Sequence, residues 1–348
     1  MTHNPRVAIF GAGAVGCYLG AKLGQGPSRP PVTLVGRPAV RDAVLERGLV
    51  LAESDRESIT HPNFHAEVEA GGDFDLVLLT VKTPDVEHSI PSLRRLLAPS
   101  GLLVAFQNGV GSEERLIEAF GADRVLAGAL TVKVEMREPG VVSAAGAGGI
   151  ALAGAGSRPA PEWVLSLFRA RFPVILVDGY QSLRWSKLLL NSIGAASSAI
   201  LDIDLDVLVS DPALFRIEQL AFREATRVMR VQRIPIVDLP GYRVRAAATV
   251  MRLPRPLAQR ILAPRMAVAR AGRSPGMRAD LDRGRTEIGE FNGAVAAAGA
   301  GLGVPTPVNA ALTALVKKLS ANPPKREWYE GKPEALIAYL AAREVNVL

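Results

Sequence analysis

The stretch Arg6 to Gly20, RVAIFGAGAVGCYLG, constrains the fold more than any other part of the chain. Val7 to Phe10 form a short apolar run that reads as a buried strand. It enters the turn Gly11-Ala12-Gly13-Ala14-Val15-Gly16, after which Cys17 to Leu23 read as a helix. Each glycine has a physical role in such a strand–turn–helix unit. Gly11 makes the tight turn, Gly13 lets the backbone approach a pyrophosphate, and Gly16 lets the helix pack closely on the strand. The helix N-terminus adds free N–H groups and a positive dipole end. The six residues Gly11 to Gly16 are therefore expected to hold a dinucleotide, in a Rossmann-type α/β domain.

Further apolar strands follow in order. Pro31 to Val35 is the second, and it ends at Gly36-Arg37. A site that prefers NAD places Asp or Glu there to accept from the adenine ribose 2′-OH. Here the residue is Arg37, with Arg41 one helical turn on, and a guanidinium fork matches a 2′-phosphate. The expected cofactor is therefore NADP(H). Asp75 to Val81 is followed by Lys82, and Leu102 to Phe106 by Gln107-Asn108-Gly109. Lys82 and Asn108 thus fall just past the carboxyl ends of parallel strands, the edge at which open α/β sheets bind ligands.

Strand patterns continue from Val125 to Val142 and end with Val174 to Val177. Beyond about Gln181, helix-forming Ala, Leu and Arg dominate, which places a domain boundary near Gly179. The expectation is an NADP-binding domain over 1–178 and a C-terminal all-α substrate domain over 179–348. A length of 348 residues allows both a core.

The net charge of +7 bears on partners. Most of the excess lies between Arg243 and Arg285, spread among Ala, Leu and Pro with almost no aromatic side chains for base stacking. Solvated helix faces are the expectation, with neither nucleic acid nor membrane as partner. No apolar run approaches the roughly 18 residues of a membrane span. The chain begins a strand almost at once and has a single cysteine, Cys17, so the expectation is a protein without a signal peptide in a reducing cytoplasm. His61 and His65 have metal-like spacing, but Pro62 lies between them and no carboxylate or cysteine cluster joins them, so no metal is expected.

Leu183 to Ile200 reads as one helix, on which Lys187 and Asn191 are four apart and share a face. A lysine and an asparagine on an otherwise apolar helix need a reason, whether function or a lysine snorkelling to the surface. Asp280, Arg283 and Glu287 read as one side of a further helix, which an ordinary salt-bridge ladder would also explain.

GAGAVG, VGR, TVK, QNGVG, WSKLLLN and DLDRGRTEIGEFNG occur in the order found in ketopantoate reductases, and the chain resembles that family over almost its whole length. The resemblance implies NADPH-dependent reduction of a small-molecule 2-oxo acid, ketopantoate first. It makes Lys187 the proton donor and places Asn191 on the substrate. Lys82 and Asn108 then line the nicotinamide and substrate site, Arg37 lies near the 2′-phosphate, Glu287 stands at the cofactor–substrate junction, and Val134 makes a backbone cofactor contact. A homodimer is compatible with it. Three positions depart from the pattern. A second substrate asparagine falls on Ala195, a third near Leu205, and a carboxylate-binding serine falls on Gly276, with Ser274 close by. The alternatives on this scaffold are a reductase of another branched 2-oxo acid and a non-catalytic NADP sensor.

Overall fold

A computed structural model of the chain describes residues 4–27, 29–54, 56–68, 73–270, 276–282, 284 and 286–345. Its first elements are β1 (Val7–Phe10), α1 (Ala14–Leu23), β2 (Val32–Val35), α2 (Pro38–Arg47), β3 (Leu49–Glu53), β4 (Arg56–Thr60), β5 (Asn63–His65) and β6 (Phe74–Leu79). Then come α3 (Val86–Leu96), β7 (Leu97–Ala105), α4 (Ser112–Phe120), β8 (Val125–Leu130), β9 (Lys133–Glu138), β10 (Val141–Ala145), β11 (Ile150–Gly154), α5 (Glu162–Arg169) and β12 (Val174–Leu176).

Eight of these strands form one sheet in the order β12-β11-β8-β7-β6-β1-β2-β5. Pairing from β5 through β8 is parallel, and the direction reverses only between β8 and β11. The chain leaves β1 toward β2 and returns on the other side at β6. A topological switch point therefore lies beside β1, where such sheets open a crevice at the carboxyl ends of their strands. The central strands are buried on both faces, which is why they read as unbroken apolar runs. One face carries α3 and α4, with Val86, Leu93 and Leu116 against Val77, Leu79 and Leu103.

The other face is where the structure departs from the sequence reading. The strands at 133–145 do not extend the large sheet. They join β3 and β4 in a second sheet ordered β4-β3-β10-β9. Between the two sheets lies α1, packed on β1 and β2 and on β3, β9 and β10. Its small and apolar residues from Gly16 to Ala21 are all buried, as expected of a helix that is apolar all round. Gly20 makes the approach to the large sheet possible, since a Cβ there would come within 2.9 Å of Leu34 Cδ2.

The chain divides into two units, Met1–Arg184 with Leu239–Tyr242, and Trp185–Asp238 with Arg243–Leu348. The division falls inside α6 (Tyr180–Ser192). In the second unit follow α7 (Ala195–Leu201), α8 (Leu205–Ser210), α9 (Pro212–Val231), α10 (Val244–Val250), α11 (Arg255–Arg270), α12 (Gly276–Asp282), α13 (Asn292–Leu302), α14 (Pro307–Ala321) and α15 (Pro333–Ala341). No strand occurs among its described residues. The α/β first unit and helical second unit are the fold class expected.

The second unit is organised on α9. Asp211 caps it, accepting from the Ala213 and Leu214 N–H groups at 2.7 and 2.9 Å, and Pro212 follows at its first position. Its buried Glu224 accepts from the N–H groups of Val308 and Asn309 at the start of α14 and from Asn309 Nδ2, at 2.9, 2.9 and 2.7 Å. Burial nevertheless pushes the Glu224 carboxyl up from its ordinary range. Asn292, from the EFNG motif, donates to Asn309 Oδ1 at 2.9 Å and so belongs to this packing network.

The single helix expected over 183–200 is two helices. Gly194 has φ +72°, and a Cβ on it would stand 2.3 Å from Leu205 Cδ1. The chain bends at a left-handed glycine, the usual way for a helix to end. Glu218 of α9 holds the bend, accepting from Gly194 N–H at 2.7 Å and from the Ser197 hydroxyl at 2.6 Å. Ala195 therefore does not lie a further turn along the helix of Lys187 and Asn191. A second correction concerns Glu287. It lies beyond the end of α12, ahead of a turn over 288–290, so it is not on one helical side with Asp280.

Candidate functional site

The glycine turn meets the conditions its spacing sets. Gly11 has φ +108°, and a Cβ there would lie 2.7 Å from Val81 N and 2.9 Å from Thr80 C. A Cβ on Gly16 would collide with Gly11 O at 2.2 Å and Thr80 Oγ1 at 2.7 Å. The Thr80 hydroxyl donates to Gly11 O at 2.6 Å, tying the turn to the end of β6. Gly11 and Ala12 both donate to Val35 O, at 2.9 and 3.1 Å, tying it to β2. Gly36 packs so close that a Cβ on it would come within 2.5 Å of Ala12 Cβ.

Gly13 is different. A Cβ on it would meet nothing within 4 Å, so open space lies beside this glycine. Helix α1 starts at the next residue with no side chain capping it. The first-turn N–H groups of Ala14, Val15 and Gly16 have no acceptor within the helix. Uncapped amides at a helix N-terminus beside a glycine-made void fit a pyrophosphate. Buried Cys17, one turn in, has its thiol pushed up to about 12 by burial and donates weakly to Ala12 O at 3.5 Å. It packs as a small apolar residue.

Three other expected contacts lie at the same carboxyl edge. Arg37 follows β2 and starts α2, exposed, and among the described residues its guanidinium has no hydrogen bond or ion pair. Neighbouring Arg41, by contrast, pairs with Asp42 at 2.7 Å. Lys82 and Asn108, both exposed, follow β6 and β7. Their loops are cross-linked. The Thr83 hydroxyl donates to Asn108 O at 2.8 Å, and Gln107 Nε2 donates to Leu79 O and Val81 O at 2.9 and 3.1 Å. Thr80, Thr83 and Gln107 went unassigned in the sequence, although they sit inside or beside the TVK and QNGVG motifs. Val134 lies in β9, opposite Ala144 in the small sheet and four residues past the end of β8.

In the second unit, Lys187 and Asn191 stand one turn apart on the same face of α6, each half-buried. Glu287 is half-buried between α12 and α13. Gly276 is the first residue of α12, and Ser274 lies outside the described residues. Ala195 and Leu205 are buried, at 4% and 3% exposure. Of the arginine-rich segment, Arg278 pairs with Asp202, which also pairs with Arg326. Among the described residues no cluster of three His, Cys, Asp or Glu side chains could hold a metal, and no helix is long and apolar enough to cross a membrane.

Comparison with known proteins covers both units. Residues 7–156 match the family model "Ketopantoate reductase PanE/ApbA", and residues 180–320 match "Ketopantoate reductase PanE/ApbA C terminal". A 2-dehydropantoate 2-reductase of Halobacterium salinarum is 27% identical over 318 residues, which are 90% of this chain and 98% of the relative. Among solved structures, a PanE/ApbA family ketopantoate reductase from Ralstonia eutropha JMP134 superposes with a TM-score of 0.78 at 29% identity, covering 92% of this chain and 99% of that one. D-mandelate dehydrogenase, solved with NADH and anilino(oxo)acetate, shares the fold with a TM-score of 0.77 at 22% identity, over 91% and 98% of the two chains. With both units matched in order by two models of one family, the chain belongs to the ketopantoate reductase family.

Proposed function

We propose that this protein reduces a 2-oxo acid with NADPH, and that the acid is 2-dehydropantoate (ketopantoate), giving pantoate. The observation that carries the reading is Lys187 and Asn191 on one face of α6, in a chain whose two units both match the ketopantoate reductase family. A reduced nicotinamide held by the first unit supplies the hydride that the C2 carbonyl accepts. The protein's part is to bind, orient and protonate. The amides of Ala14 to Gly16 and the space beside Gly13 receive the pyrophosphate, and the exposed guanidinium of Arg37 receives a 2′-phosphate, favouring NADP over NAD.

As the carbonyl oxygen gains negative charge, the Lys187 ammonium stabilises it and delivers the proton. General acid catalysis of this kind contributes roughly 10²–10⁴-fold. Asn191 and Asn108 orient the acid, Gly276 and Ser274 belong with its carboxylate, and Lys82, Val134 and Glu287 serve the cofactor side. Lys187→Ala should lower kcat by at least about two decades while NADPH affinity stays near wild type. Near-normal turnover in that variant refutes the role.

A second reading is favoured by Ala195 and Leu205, buried and apolar where the family resemblance places polar substrate contacts. A substrate hydroxyl left without a partner is strongly disfavoured, so these positions suit a branched 2-oxo acid with an apolar tail. A panel at fixed NADPH decides. Preference for ketopantoate over 2-oxoisovalerate supports the first reading, and the reverse order supports the second.

A further inference from the structure

Arg184 and Glu113 are both buried, their side chains 2% and 1% exposed. A buried ion pair is weak evidence of stability, because apolar side chains of similar volume often serve as well or better. The pair therefore calls for another explanation, and its hydrogen bonds supply one. A guanidinium has five N–H donors, and all five of Arg184 have acceptors. Nε donates to Glu113 Oε1 at 2.6 Å. Nη1 donates to Gln107 O at 2.6 Å and Gly128 O at 3.0 Å, and Nη2 donates to Ala105 O at 2.6 Å and also contacts Glu113 Oε1. Ala105 ends β7 and Gly128 lies in β8. Glu113 stands in the first turn of α4, where the helix dipole favours a carboxylate.

Gln107 O is the carbonyl of the peptide that links Gln107 to Asn108. The guanidinium thus grips the peptide just before Asn108, while the Thr83 hydroxyl holds the carbonyl just after it at 2.8 Å. The chain then turns through Gly109 and Gly111, at φ +85° and +104°. Asn108 is an exposed side chain on a backbone pinned on both sides.

We propose that Arg184 is a positioning residue: charge-balanced by Glu113, its guanidinium fixes the Gln107–Asn108 peptide and so sets the direction in which Asn108 meets the substrate. The role of Asn108 rests on the function proposed above; the pinning of its backbone does not.

The test compares wild type, Arg184→Lys, and the double variant Glu113→Gln/Arg184→Met, which removes both buried charges together. Thermal unfolding, amide hydrogen exchange of peptides covering 105–111 and 7–16, and kcat and KM with NADPH and the 2-oxo acid are measured on each. In the folded double variant, exchange across 105–111 rises at least tenfold while 7–16 is unchanged. Its kcat/KM falls roughly 10- to 100-fold, mainly through kcat, as misplacement of an orienting group requires. Arg184→Lys falls between, because one ammonium cannot reach three carbonyls and a carboxylate. If the double variant does not fold, the lysine variant is read alone, with the same expected direction. A lower Tm with wild-type kcat, or wild-type exchange across 105–111, overturns the proposal. Wild-type protein inactive on every 2-oxo acid sinks the functional reading, and the exchange data still decide the positioning.

Discussion

Gly13 and Gly16 stand three residues apart in one turn, and the structure sets opposite outcomes for Gly13→Ala and Gly16→Ala. At Gly16 the new Cβ would lie 2.2 Å from Gly11 O, which also accepts from the Thr80 hydroxyl at 2.6 Å and Gly13 N–H at 2.8 Å. That carbonyl cannot yield without breaking both bonds. Overpacking of this kind costs about 1–3 kcal/mol. For a unit of this size, about 2 kcal/mol lowers Tm by roughly 4–8 °C. At Gly13 the backbone is at φ −83°, ψ −166°, ordinary extended geometry, and the methyl meets nothing within 4 Å. Stability should hold or rise by about 0.4–1 kcal/mol, because alanine restricts the unfolded chain. The methyl nevertheless fills the space assigned to the pyrophosphate. NADPH affinity should fall at least tenfold, about 1.4 kcal/mol. Differential scanning fluorimetry gives the first quantity and titration of NADPH fluorescence the second. Gly16→Ala should lose both stability and binding, Gly13→Ala binding alone. A Gly13→Ala protein with wild-type NADPH affinity refutes the placement of the phosphates.

The remaining outcomes are simpler. Arg37→Ala should weaken NADPH by about 10- to 100-fold, the range for a charge-assisted contact, and leave NADH unchanged; equal losses for both nucleotides in parallel titrations would exclude a 2′-phosphate role. Cys17, with its thiol raised to about 12, should resist an aromatic disulfide reagent at pH 8 until the protein unfolds. Its raised value means that its contribution to stability is full below about pH 9 and is lost as pH climbs toward 12, which denaturant titrations across that window can follow. Gly194→Ala combines φ +72° with a 2.3 Å approach to Leu205 Cδ1, and should lower stability by about 1–3 kcal/mol. Adding Leu205→Ala should recover the steric part, seen as non-additivity in a double-mutant cycle.

Much of the candidate site was legible because it rests on local signals. A glycine turn, and polar residues just after apolar strands, can be read without knowing what packs on what, and this placed Gly11 to Gly16 at the β1–α1 turn and Arg37, Lys82 and Asn108 just past β2, β6 and β7. The small sheet was not legible. β4 reads RESIT and is largely exposed, so no apolar run marks it, and β3 finds β10 some ninety residues away. The bend after Ser192 did have a local signal, Gly194, masked by helix formers on both sides. Arg184 had none. Its partner Glu113 lies 71 residues earlier, and nothing near LRWSK marks that arginine as buried. Asn292 stands inside a family motif yet serves the Asn309–Glu224 network, so place in a motif does not by itself identify a ligand contact.

Enclosure of α1 between two sheets has a consequence for ligand loading. A helix gripped from both directions cannot tilt to meet an arriving nucleotide, so its leading amides are aimed during folding. The small sheet then becomes part of the affinity for the cofactor. Loosening β3 or β10 should surface as weaker nucleotide retention, and saturating nucleotide should in turn steady those strands, since a ligand that selects the native form stabilises everything that form requires.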